Sequence, residues 1–112
     1  MHDYLQVATT TETKDAAARI ATALVERRLA ACVQLTGPIT STYRWEGKIQ
    51  SAEEWLCVAK TRRDLYELVE GTIRDLHPYK VPEIVATAVV AGSRAYLDWL
   101  DGELLPQASD HA

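Results

Sequence analysis

The chain has 112 residues, a formal net charge of −4, 47% hydrophobic residues and 25% charged ones. That composition describes one ordinary soluble globular domain with a modest core, and argues against disorder. The acidic balance argues against a general nucleic-acid binder, and no apolar run approaches the roughly 18–20 residues of a membrane helix.

The first residues, Met1-His2-Asp3-Tyr4, lack the basic-then-apolar order of a secretory signal. Leu5 to Thr9 reads as a short strand. Thr9-Thr10-Thr11-Glu12 matches a capping box, with Thr11 and Thr13 as competing caps. Ala17, Ile20, Ala21, Leu24 and Val25 then recur at helical spacing, with Arg19, Glu26 and Arg27 off the stripe.

From Ala31 the pattern becomes extended. Cys32-Val33-Gln34-Leu35 runs into Gly37-Pro38, which predicts a bend or bulge. Ile39, Ser41, Tyr43 and Trp45 alternate with polar residues up to a turn at Glu46-Gly47-Lys48, and 55–60 returns as the partner strand. These arms exceed the usual five or six residues. Their open edges carry Tyr43, Trp45 and Trp55, and a second copy of the chain is the simplest cover. Simple hairpin register sets Cys32 and Cys57 four residues apart, about 13 Å at roughly 3.3 Å per residue. A disulfide is therefore not expected, and two free thiols fit a reducing cytoplasm.

A second helix carries Leu65, Leu68, Val69, Ile73 and Leu76, with Thr61 or Asp64 as its cap. Pro78 and Pro82 stiffen the segment His77-Pro78-Tyr79-Lys80-Val81-Pro82-Glu83, so the helix stops near His77 and a strand begins near Glu83. Residues 84–90 are apolar at nearly every position, which fits a strand buried on both faces or covered by a neighbour. Ser93 caps a last helix with Tyr96, Leu97, Leu100 and Leu104 on one stripe. The whole chain, 1–112, reads as one domain, ordered over about 5–105 and frayed over 106–112. Two βαβ halves define an α+β ferredoxin-like sandwich, βαββαβ plus a C-terminal helix, with a four-stranded antiparallel sheet.

Several motifs then coincide: Ala30-Ala31-Cys32-Val33, the run from Ile39 to Lys48, Lys60-Thr61, His77-Pro78-Tyr79-x-x-Pro82-Glu83, and Tyr96-Leu97-x-Trp99. Together they resemble the divalent-cation tolerance family, CutA, over about Leu5 to Leu105. The resemblance implies a cytoplasmic ferredoxin-like homotrimer joined through sheet edges. It also implies a role in tolerance of, and response to, divalent metals such as copper, with metal or a small ligand held near inter-subunit clefts. The same architecture resembles the PII signalling proteins, so a small-molecule sensor trimer without specific metal binding is the alternative. Some family members proposed to bind copper carry a Cys where Thr9 stands and a second His where Leu76 stands. Only His77 remains of that set, and Cu(II) or another divalent metal would need Cys32, Glu83 or a neighbour's residue to complete its site.

Each candidate residue has a competing structural reading. His77 is a metal ligand or proton-transfer group, or else a helix C-terminal residue whose charged form offsets the dipole. Lys60, Tyr79 and Glu83 either converge on a cleft for a small anion or metabolite, or form a Lys–Glu pair beside a packed Tyr. Cys32 and Cys57 read as inert thiols. Tyr43, Trp45, Trp55 and Trp99 read as a trimer interface in preference to a base-stacking surface. Arg62-Arg63 at a helix start calls for compensation by Asp64 or by an anion. No phosphate loop, HExxH or local nucleophile–base pair is present, so no enzyme is expected.

Overall fold

In the computed structural model, residues 3–107 are described; the expectations for Met1 and His2 and for the tail over 108–112 lie outside them. The elements are β1 (Tyr4–Thr11), α1 (Lys14–Glu26), β2 (Cys32–Trp45), β3 (Lys48–Arg62), a 3-10 turn (Arg63–Leu65), α2 (Tyr66–Leu76), β4 (Val85–Ala88) and α3 (Arg94–Glu103). The strands pair antiparallel in the order β2-β3-β1-β4. This is the expected ferredoxin-like α+β sandwich with its added helix.

Strand alternation divides the sheet into two faces. Leu5, Val7, Cys57 and Ala59 point to one face and meet Ile20 and Leu24 of α1 and Val69 and Ile73 of α2 in a single core cluster. Thr61 lies on the same side, where its hydroxyl donates to the Leu29 carbonyl at 2.6 Å. Alternation sends Lys60 and Arg62 to the opposite face, where Lys60 approaches the Tyr96 ring and Arg62 pairs with Asp101. The third helix therefore covers that face only at its Tyr4–Arg62 end. Ala8, Leu56 and Val58 further along it remain partly exposed.

Local details differ from expectation for identifiable reasons. β1 keeps pairing with β3 as far as Thr11 and Trp55, so Thr9 cannot cap α1; Thr13 does, accepting from the Ala16 N–H at 3.1 Å. Thr61 stays within β3 and Asp64 pairs with Arg62, so α2 begins at Tyr66 without a side-chain cap. The paired Asp64 supplies the compensation that Arg62 needed, and Arg63 pairs with Asp3. Val25 and Leu68, expected on buried stripes, are exposed.

The hairpin turns at Glu46-Gly47, both with positive φ (50° and 79°), between the paired Trp45 and Lys48. That is the two-residue primed turn whose twist matches the strands. A bulge between Thr36 and Ile39 shifts the register by one, so Cys57 lies opposite Leu35, three residues from Cys32 instead of four. An odd offset also places the two free thiols on opposite faces. The expected double burial of 84–90 does not occur within the chain: β4 has four residues and Val90 is 96% exposed.

Candidate functional site

Two elements build one cleft. The first is the β2–β3 arm, which continues past the end of β1 as a two-stranded ribbon. The second is the proline-stiffened connection between α2 and β4. Between them lies a cavity of about 600 Å³ whose walls include Tyr43, Trp45, Glu54, Tyr79, Lys80 and Glu83. Glu54 lies opposite Ile39, so alternation puts it on the same ribbon face as Tyr43 and Trp45.

His77 ends α2, its backbone N–H bonding to the Ile73 carbonyl at 2.8 Å. Pro78 disfavours helical geometry for the residue before it, and His77 adopts φ −78° and ψ 133°. Its ring is 8% exposed and satisfied at both nitrogens. Nε2 lies 2.7 Å from the Thr10 carbonyl, and Nδ1 accepts from the Tyr79 N–H at 3.1 Å. A carbonyl needs a donor and an N–H needs an acceptor, which assigns the neutral Nε2–H tautomer. So engaged, the ring has no lone pair left for a metal. Its place in the fold is to pin the connection to the end of β1.

The pinned connection presents Tyr79, whose ring lies 4.7 Å from that of His77 and whose hydroxyl donates to Glu54 Oε2 at 2.9 Å. Burial, followed by the hydrogen bond to and charge of Glu54, raises the Tyr79 phenol well above its ordinary range. The phenol thus stays protonated as a donor to Glu54, which is 8% exposed and lines the cleft. Among the described residues the only hydrogen bond to its side chain is the one from Tyr79.

The expected site residues fall into separate groups. Tyr79 and Glu83 line the cleft with Tyr43 and Trp45. Lys60 and Cys32 face each other across β2 and β3, with Lys60 Nζ 5.8 Å from the centroid of Tyr96. Lys60 lies six residue steps along β3 from Glu54, about 20 Å at the usual rise. One chain therefore does not bring Lys60 and Cys32 to Tyr79 and Glu83, and no Lys60–Glu83 pair forms among the described residues. Of the aromatics, Trp45 (52% exposed) and Tyr43 are open on the arm, and Trp99 is open on α3 beside Tyr96. Trp55 instead packs within the chain: a Cβ at Gly37 would lie 2.5 Å from its ring, and Lys14 Nζ sits 5.5 Å from its centroid. Burial raises the Cys57 thiol to about 11, consistent with an inert role.

Glu54 is the residue that sequence reasoning missed. Its only signal was register: as the partner of Ile39 it had to share a face with Tyr43 and Trp45.

Fold and site together define a ferredoxin-like domain with a protruding ribbon and a cleft at the ribbon's root. Residues 5–103 match the model of the CutA1 divalent ion tolerance protein family, and the chain belongs to that family. It is 45% identical over 91 residues to the divalent-cation tolerance protein CutA of Thermus thermophilus, covering 81% of this chain and 88% of that one. It is also 45% identical over 84 residues to human Protein CutA, covering 75% of this chain but 47% of the human protein. Among solved structures, CutA1 from Oryza sativa superposes with a TM-score of 0.91 at 34% identity, covering 95% of this chain and 97% of that one. The Thermus thermophilus protein superposes at 0.88 with 42% identity, covering 90% and 98%.

Proposed function

We propose that this chain is a non-enzymatic binding protein that works as a homotrimer joined through sheet edges. Clefts at the root of its ribbons take up a metal ion or a small polar ligand. Its family role in divalent-cation tolerance is exercised through those clefts, and its two free thiols suit the cytoplasm. The observation carrying this reading is the cleft itself, where a buried carboxylate is held ready by Tyr79.

A tight copper or zinc centre made by one chain does not fit the residues present. Such metals favour several imidazole and thiolate ligands. The His77 ring is fully engaged, Cys57 is buried and protonated, and Cys32 lies on the other face. Among the described residues no three His, Cys, Asp or Glu side chains are grouped to hold an ion. Copper therefore enters through a site shared between subunits. A sensor signalling through a long loop finds little support, since β2 and β3 join by a two-residue turn.

Calorimetry with Cu(II) and Zn(II) tests the metal part on wild type and His77→Gln. The two isotherms should superimpose. Loss of a tight site in the variant would restore His77 as a ligand and overturn the assignment above.

A further inference from the structure

We propose that the cleft at the ribbon root binds a small organic ammonium ion, with Glu54 as its counter-ion and Tyr43 and Trp45 as its aromatic wall. This rests on the reading of the cleft as a ligand site and names the chemical class that it takes.

Burying a carboxylate without a cation is costly, and a folded chain keeps such a group where a ligand or partner supplies the charge. Glu54 is more than nine-tenths buried, and its one described partner is a neutral phenol. The Tyr79 hydrogen bond fixes Oε2, while Oε1 accepts nothing from the described residues. The other charged groups on the lining are Glu83 and Lys80, both exposed and without ion pairs among the described residues. Two carboxylates against one ammonium leave the lining with a net negative charge, which disfavours an anion.

The rest of the wall selects among cations. Tyr43, Trp45 and Tyr79 present rings, which attract an ammonium through their quadrupole but offer no good lone pair to a metal. Calcium wants six to eight oxygen ligands, and magnesium keeps a rigid octahedral shell of which it sheds little. A protonated or quaternary amine needs only one or two carboxylates and an aromatic face. Its apolar substituents can displace water from a cavity of about 600 Å³. Hydroxyls of Thr10 and Ser41 on the same lining remain for polar groups elsewhere on the ligand.

The test uses the full chain with tetramethylammonium and 1,4-diaminobutane as probes and acetate as the anionic control. Binding is followed by calorimetry and by the indole resonances. Both ammonium probes should bind saturably and shift one indole signal, and acetate should not. Glu54→Gln, which still accepts from Tyr79, should weaken the probes about tenfold or more, the effect expected when a charge-assisted contact is lost. Glu83→Gln at an exposed position leaves the core untouched and should weaken them severalfold, so the proposal stays testable if the first variant fails to fold. Acetate or Zn(II) binding in the cleft, with no ammonium binding, would overturn the cation assignment and leave the cleft as a ligand site. Equal ammonium affinity in wild type and both variants would also overturn it. No binding of any probe to folded wild type would remove the cleft reading itself.

Discussion

Arg62 shows how one buried cation organises the end of this molecule. Its guanidinium is 2% exposed and donates to Asp64 at 2.7 Å, to Asp101 at 2.9 Å and to the Leu105 carbonyl. One side chain thereby ties β3, the turn before α2 and the end of α3 together. Removing one partner of a buried ionic network usually costs about 3–5 kcal/mol. Asp64 and Asp101 are each a third exposed and can recover water, so a loss of about 2 kcal/mol is expected for Arg62→Met. Urea denaturation reads that loss as a lower midpoint with an unchanged slope. The hydrogen bond from Arg62 holds the Asp64 carboxyl below its ordinary range. With a depressed folded-state value, the stabilisation is complete above the unfolded value near 4 and disappears as pH falls through the folded one. Wild type should therefore lose stability below about pH 4 more steeply than Arg62→Met. Parallel acid profiles for the two proteins would show that the pair contributes nothing.

At the scale of elements, the long hairpin depends on one glycine in its middle. Gly37 lies at the bulge where β2 changes register against β3, and the Trp55 ring occupies the space a side chain would need. Gly37→Ala drives a methyl group to 2.5 Å from that ring, so the ring or the ribbon must move. Overpacking of this kind costs about 1–3 kcal/mol. The expected result is a lower unfolding midpoint together with a shifted indole emission; an unchanged midpoint would mean that Trp55 is free to swing away. The same hairpin marks how far the sequence could be read. Alternation from Ile39 to Trp45 and the Glu46-Gly47 turn were legible because each is local chemistry repeated at period two. So were the C-terminal end of α2 and the Ser93 cap, which depend on proline and a hydroxyl. The one-residue shift at Gly37-Pro38 was signalled only as a bend or bulge, and its consequence for the register was not legible. Glu54 as the wall of a cleft was invisible because it follows from pairing between distant residues. The placement of α3 on the second face was equally hidden, since Arg62 meets Asp101 across 39 positions of sequence.

At the scale of the whole molecule, one chain is more extended than its length requires. Its radius of gyration is 15.0 Å, against about 13 Å for a compact domain of this size. The longest dimension, 51 Å, is about twice either of the others, 27 and 24 Å. The excess belongs to the ribbon beyond Thr11, and a two-stranded hairpin is marginally stable by itself in water. Tyr43, Trp45 and Ile49 stand open on that ribbon, while Val85 and Val90 stand open at or just beyond the β4 edge. Ala8, Leu56 and Val58 add a partly exposed apolar strip on the part of the second sheet face that α3 leaves uncovered. Open edges and apolar patches of this kind invite association. The two free edges, β2 and β4, differ in length and sequence. Pairing one with the other on a second copy is head-to-tail, and such contacts end only when a ring closes. Closure with three copies predicts a particle of three times the 12.5 kDa chain mass in light scattering. It also predicts an unfolding midpoint that rises with protein concentration. Trp45→Asp places a charge on the ribbon beside the edge at which a neighbour would pair, and should shift the particle toward single chains without altering the core around Ile20 and Ile73. A wild-type protein that scatters as one chain at micromolar concentration, with a concentration-independent midpoint, would remove the trimer. The ribbon would then have to stand unsupported in water.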